Sequence, residues 1–132
     1  MVVDDEEFNI SSMKAILFKI GANVEYQCDF CITGQEAVDQ VKIVNTMGFN
    51  YSLILTDIQM PIKDGITATK EIREFFDSIN LKREDQPKII GVTGHVLEDF
   101  YRQGQEAGMD EILAKPLYIQ ILRSLLDRYH IL

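Results

Sequence analysis

The run Ser52-Leu53-Ile54-Leu55 is apolar without alternation, and the carboxylate of Asp57 follows it directly after Thr56. A strand with one wetted face alternates apolar and polar residues; a run without alternation reads as a strand buried on both faces, as in a parallel sheet. Parallel strands are joined by crossovers, usually helical, so this stretch asks for helices on either side of it. Met60-Pro61 bars an immediate helix, and Lys63-Asp64-Gly65 adds a second turn before one can begin. Asp57 is thus expected at a strand end beneath a short irregular loop, the place where open α/β sheets carry reactive groups. Asp is also an ordinary turn former, so the rest of the chain must decide between the two readings.

The remaining elements fit the same plan. Met1-Val2-Val3 reads as the stub of a strand cut short by Asp4-Asp5-Glu6-Glu7, and the chain is expected to begin inside its first strand, as a piece of something longer. Met13, Ile16, Leu17 and Ile20 recur at helical spacing in a helix that opens near Asn9 and stops at Gly21. Residues 24–32 read as a second strand. A helix opening at Gly34 carries Ala37, Val38, Val41 and Val44 on one side. After the central strand come a helix over 66–79, a buried strand over 88–93, a helix over 97–107, a short strand over 111–114 and a closing helix over 118–129. In that last helix Ile119, Leu122, Leu125 and Leu126 are expected to face inward. Strand and helix alternate five times, which implies a parallel sheet with helices on both faces and right-handed crossovers.

Composition narrows the partners. At 132 residues the chain is long enough for one domain with one respectable core. A net charge of −8 and a pI near 4.7 oppose sequence-independent nucleic-acid binding and contact with an anionic membrane. No run is long and apolar enough to span a bilayer, and acids near the start are unlike a signal peptide. Cys28 and Cys31 make no disulfide framework, so a reducing compartment, the cytoplasm, is the expected location.

The strand ends gather chemistry. The first ends at Asp4-Asp5, the third at Asp57, the fourth at Thr93-Gly94 and the fifth at Lys115-Pro116. In a parallel sheet these all lie at one edge, so one crevice would hold three carboxylates, a hydroxyl and an ammonium. Carboxylates so crowded repel unless a cation compensates, and Mg²⁺ takes a few carboxylates together with phosphate oxygens. A carboxylate can attack phosphorus to form an aspartyl phosphate, and Asp57 is the central candidate for that role.

In order along the chain, Val2-Val3-Asp4-Asp5-Glu6, Leu55-Thr56-Asp57-Ile58-Gln59-Met60-Pro61, Lys63-Asp64-Gly65, Gly91-Val92-Thr93-Gly94 and Ala107-Gly108-Met109-Asp110 with Leu113-Ala114-Lys115-Pro116 resemble the receiver domain of two-component response regulators. The wording from Ala107 to Pro116 is most similar to receivers of hybrid histidine kinases. The resemblance covers residues 1–132 as a single domain. It implies a five-stranded parallel sheet in the flavodoxin-like order 2-1-3-4-5, with helices on both faces. It implies that Asp57 takes a phosphoryl group from a phosphohistidine in a phosphorelay, the partner being a histidine kinase or histidine phosphotransfer protein. Mg²⁺ (or Mn²⁺) would be bound by Asp5 directly, by Asp4 through water, by Asp57 and by the backbone carbonyl of Gln59. Thr93 and Lys115 would contact the phosphoryl oxygens, and the Lys115-Pro116 bond would be cis. Such a domain is a signalling phosphoacceptor that catalyses only its own phosphorylation and slow autodephosphorylation. It is cytoplasmic, in some cases as the cytoplasmic part of a membrane-bound hybrid kinase. One position departs from the pattern: Ile112 stands where the family carries Tyr or Phe, so the resemblance does not extend to an aromatic switch.

Other features weigh less. Cys28-x-x-Cys31 suggests redox or zinc chemistry, but an odd separation along a strand would put the two thiols on opposite faces. His95 is expected to be a solvent-facing loop residue at the mouth of the crevice, and Thr67 and Thr69 ordinary helix-surface residues. Phe8, Ser11, Ala15 and Phe18 share a face of the first helix directed away from its core stripe. That face is uncharged in an acidic protein and is expected to be the hydrophobic centre of a surface for the phosphohistidine partner. A haloacid-dehalogenase-type phosphatase also forms an aspartyl phosphate, yet it needs an acid where Gln59 stands. A flavin module needs a Ser/Thr-rich phosphate loop after the first strand, where this chain has acids. A docking module of the same fold that works without phosphorylation is the remaining alternative.

Overall fold

The structure, a computed structural model, describes residues 1–95 and 97–132. Five strands, β1 (Val2–Val3), β2 (Phe30–Cys31), β3 (Leu53–Asp57), β4 (Lys88–Thr93) and β5 (Glu111–Ala114), form one sheet in the order β2-β1-β3-β4-β5, with every neighbouring pair parallel. This is the expected doubly wound arrangement. β3 lies at the centre, and all five of its residues are buried.

The helices among the described residues are α1 (Glu7–Ile20), α2 (Val24–Gln27), α3 (Gly34–Thr46), α4 (Gly65–Ser78), α5 (Glu98–Ala107) and α6 (Ile119–Arg128). They divide the core into two layers. Val3, Ile54, Ile58 and Ile89 pack on one side against Ala37, Val38 and Val41 of α3 and Ala68, Ile72 and Phe76 of α4. Val2, Leu53, Leu55, Ile90 and Val92 pack on the other against Leu17 of α1 and Leu122, Leu125 and Leu126 of α6. Within each strand, consecutive residues therefore serve opposite layers, which is why the apolar runs show no alternation. Among the described residues no helix is long and apolar enough to cross a membrane.

Three expectations need correction. The predicted strand over 24–32 is a four-residue helix, α2, followed by two strand residues. Val24 and Cys28 still pack on the α1–α6 layer, so apolar spacing alone did not separate strand from helical turn. Thr69 is not on the surface: it is buried, and its hydroxyl donates to the Gly65 carbonyl one helical turn back (2.8 Å). Ile119 opens α6 and is only half-buried, whereas Leu122, Leu125 and Leu126 are buried. Cys28 and Cys31 do lie in opposite layers, though only Cys31 belongs to a strand.

Candidate functional site

Parallel pairing puts the carboxyl ends of β1, β3, β4 and β5 at one edge. Val3 lies opposite Thr56, Asp57 opposite Val92, and Thr93 opposite Ala114. The next residue of each strand, or its last one, therefore opens into the same crevice. Asp4, Asp5 and Asp57 each offer a carboxylate oxygen there, all within 4.8 Å of one another. Asp4 and Asp57 are buried and Asp5 is exposed.

Asp4 is tied on several sides. It accepts hydrogen bonds from the Glu6 amide (2.9 Å) and the Asn9 side chain (3.1 Å), which shape the turn into α1. The Lys115 ammonium donates to it at 3.0 Å and lies 3.3 Å from Asp57. Lys115 comes from the end of β5, where its amide donates to the Thr93 carbonyl (2.8 Å) and the Lys115–Pro116 peptide is cis. Burial, reinforced by Asp4, raises the pKa of Asp57 from its ordinary value, against the pull of Lys115. Burial opposes the charge on Lys115, but Asp4 and Asp57 together outweigh it and raise its pKa.

Two neighbours complete the frame. The Gln59 amide donates to Asp57 Oδ1 at 3.3 Å. Thr93 is fully buried at the adjacent strand end, where its hydroxyl exchanges hydrogen bonds with the backbone of His95 (3.2 Å each) instead of reaching Asp57. His95 itself is exposed. Ile112 is buried in the α3–α4 layer beside Met109.

The donor set fits a small hard cation. Three carboxylate oxygens carry three negative charges and Lys115 offsets one, and all the acidic donors are oxygen, which suits Mg²⁺ or Mn²⁺ better than a softer metal. Beyond the crevice, a groove of about 630 Å³ runs from Asp4, Asp57 and Lys115 to Phe8, Met13 and Tyr118. Of the α1 face singled out above, Phe8 is 78% exposed and Phe18 75%, and Ser11 and Ala15 are exposed between them. Only Phe8 of these four lines the groove.

The sequence reading missed Arg73. It is buried in α4, where its guanidinium donates to the Gly108 and Pro87 carbonyls (3.0 Å each), to Gln86 (3.0 Å) and to Asp110 (3.1 Å). Its place on the buried stripe Thr69-Ile72-Arg73-Phe76 was the available signal.

The profile of the response regulator receiver domain family matches residues 1–127. The chain is 30% identical to the aerobic respiration control sensor protein ArcB of Escherichia coli (strain K12) over 98% of its own length, and spans 15% of that protein. It is 37% identical to two-component response regulator 24 of Arabidopsis thaliana, over 97% of this chain and 81% of the other. Its fold matches the receiver domain of the histidine kinase CKI1 from Arabidopsis thaliana, solved as a complex with Mg²⁺ and BeF₃⁻, with a TM-score of 0.81 and 28% identity over 98% of this chain and 87% of that one.

Proposed function

We propose, on the premise that this chain belongs to the response regulator receiver domain family, that Asp57 accepts a phosphoryl group from a phosphohistidine, with Mg²⁺ or Mn²⁺ held by the neighbouring acids. The chain is a receiver domain of two-component signalling. The observation that carries the finer reading is the meeting of Asp4, Asp5 and Asp57 within 4.8 Å, with the Lys115 ammonium at 3.0 Å from Asp4 and 3.3 Å from Asp57.

The chemistry divides among named residues. A carboxylate oxygen of Asp57 attacks phosphorus in line, the bond from phosphorus to the imidazole nitrogen breaks, and the imidazole leaves with the electron pair. Burial strips water from Asp57, and the Lys115 ammonium at 3.3 Å offsets part of the resulting penalty on its charge and orients it. Asp5, Asp57 and the Gln59 carbonyl would hold the metal directly, and Asp4, already engaged by Lys115, would hold it through water. A bound metal supplies charge neutralisation for the phosphoryl oxygens. Lys115 would turn from Asp4 toward one phosphoryl oxygen, and Thr93 would exchange its bonds to His95 for another. The phosphohistidine donor, a histidine kinase or histidine phosphotransfer protein, would rest on the exposed face of α1 formed by Phe8, Ser11, Ala15 and Phe18. That face opens at Phe8 into the groove leading to Asp57. The domain would act in the cytoplasm as a phosphoacceptor, not a turnover enzyme. The Mg²⁺ complex of the CKI1 receiver domain supports the metal assignment.

The test uses acetyl phosphate and Mg²⁺. Mass spectrometry is expected to find one added phosphoryl group on the wild type and none on Asp57→Asn. An unchanged wild-type mass, with the fold verified by circular dichroism, overturns the reading. Continuous turnover of a phosphomonoester would instead favour a phosphatase.

A further inference from the structure

The loop from Asp57 to α4 holds a strained turn whose side chain contributes nothing to holding it. The Lys63 amide donates to the Pro61 carbonyl (2.8 Å), closing a γ-turn around Ile62, whose φ is +69°. A γ-turn with positive φ at its centre is rare and strained, and a β-branched residue there is the least suited of all. Ile62 is also fully exposed, so no packing of its own compensates the strain. Strained backbone persists where the surroundings over-determine it, and such places cluster at functional sites.

The surroundings here are Lys63 and the helix starts on either side of it. The Lys63 ammonium pairs with Glu71, one side-chain carboxylate oxygen of which is shut off from solvent with that charge as its compensation. Most of the Lys63 side chain is itself covered, at 18% exposure. Its backbone carbonyl lies against the first residue of α3 so closely that a Cβ on Gly34 would sit 2.5 Å from it. The next residue, Asp64, caps α4 by accepting from the Thr67 amide (2.7 Å). That end is tied back to the start of the loop. Gly65 donates to the Ile58 carbonyl (2.8 Å), and a Cβ there would meet the Asp57 carbonyl at 2.1 Å. With both ends pinned and one strained turn between them, the position of Gln59 depends on what holds that turn.

We propose that Lys63 is a positioning residue: its pair with Glu71 holds the strained turn at Ile62 and thereby sets the backbone of Gln59 beside Asp57 for metal binding. The proposal rests on the metal-dependent reading of the site. It predicts that removing the clamp matters only while there is strain to hold.

The experiment titrates Mg²⁺ alone into wild type, Lys63→Met, Ile62→Gly and the double variant by calorimetry, with thermal melts in metal-free buffer. Lys63→Met is expected to weaken Mg²⁺ binding about tenfold, the usual scale for a residue that orients a metal ligand, and to lower the melting temperature. Ile62→Gly is expected to raise the melting temperature, because Gly adopts positive φ without strain. The double variant is expected to regain wild-type affinity for Mg²⁺. Should Lys63→Met not fold, Glu71→Gln removes the same pair and is expected to weaken binding alike. Wild-type affinity in Lys63→Met or Glu71→Gln overturns the clamp, as does a double variant as weak as Lys63→Met. A wild type that takes up no Mg²⁺ at all defeats the functional reading itself, and this inference with it.

Discussion

Asp57 sits where two electrostatic effects oppose each other, and the balance has a consequence for stability. Burial and Asp4 raise its pKa, while Lys115 lowers it, and the net direction is up. The folded protein therefore holds this proton more tightly than the unfolded chain does. The stability it contributes is present below the unfolded carboxylate pKa and is lost as pH rises through the folded one. At pH 7 the ionised Asp57 thus works against folding. Asp57→Asn carries no charge at any pH, and Lys115 keeps Asp4 as its partner at 3.0 Å. In metal-free buffer at pH 7 the variant is expected to melt about 3–5 °C above the wild type, for a change on the order of 1 kcal/mol. The advantage is expected to shrink as pH is lowered from 7 to about 4, the unfolded carboxylate value. Melts at the two pH values measure this, and a variant less stable at pH 7 would mean that the Lys115 attraction exceeds the burial penalty.

The elements show which parts of this architecture were legible in the sequence. β3 and β4 were, because strands buried on both faces leave unbroken apolar runs and their ends carry Asp57 and Thr93. β2 was not: two strand residues give no period, and α2 before them supplies apolar residues to the same layer as a strand would. At the site, the carboxylates could be placed from strand ends alone. The contact of Lys115 with Asp4 spans 111 positions, and the turn of the Thr93 hydroxyl toward His95 depends on loop geometry, so neither has a sequence signature. The buried Thr69 and Arg73 escaped notice because polar residues on a helix are read as its wet face unless their spacing to the core stripe is weighed. α1 offers the clearest test at this scale, since its four-residue outer face is uncharged while the chain carries −8. Phe8→Ala and Ala15→Glu are expected to slow transfer from a cognate phosphohistidine protein about tenfold or more, in line with loss of a central apolar contact worth 1–2 kcal/mol. Labelling by acetyl phosphate is expected to stay near the wild-type rate, because a small donor needs no docking surface. If the two reactions fall together, or neither changes, the face has no docking role.

At the scale of the whole molecule, the proposed metal site would link cation binding to folding. The three acids converge only because three strands, distant in sequence, end at one edge of the sheet. Of these three acids the unfolded chain keeps only Asp4 and Asp5 adjacent, so a divalent cation held by all three would favour the native state and stabilise it. At ten times the dissociation constant the gain is about 1.4 kcal/mol, or roughly 4–7 °C in the melting temperature of a chain this size. Part of any such shift could come from screening alone, since an acidic protein is relieved by any added salt. Melts at matched ionic strength, with MgCl₂ replaced by NaCl, remove that contribution. Asp5→Ala separates the rest. Asp5 is exposed and supplies an oxygen to the cluster, so its loss is expected to abolish the Mg²⁺ increment while leaving the metal-free melting temperature unchanged or higher. The same increment in wild type and Asp5→Ala would mean that the cation acts on the surface charge at large, and equal melting temperatures with and without millimolar Mg²⁺ would remove the metal from the crevice altogether.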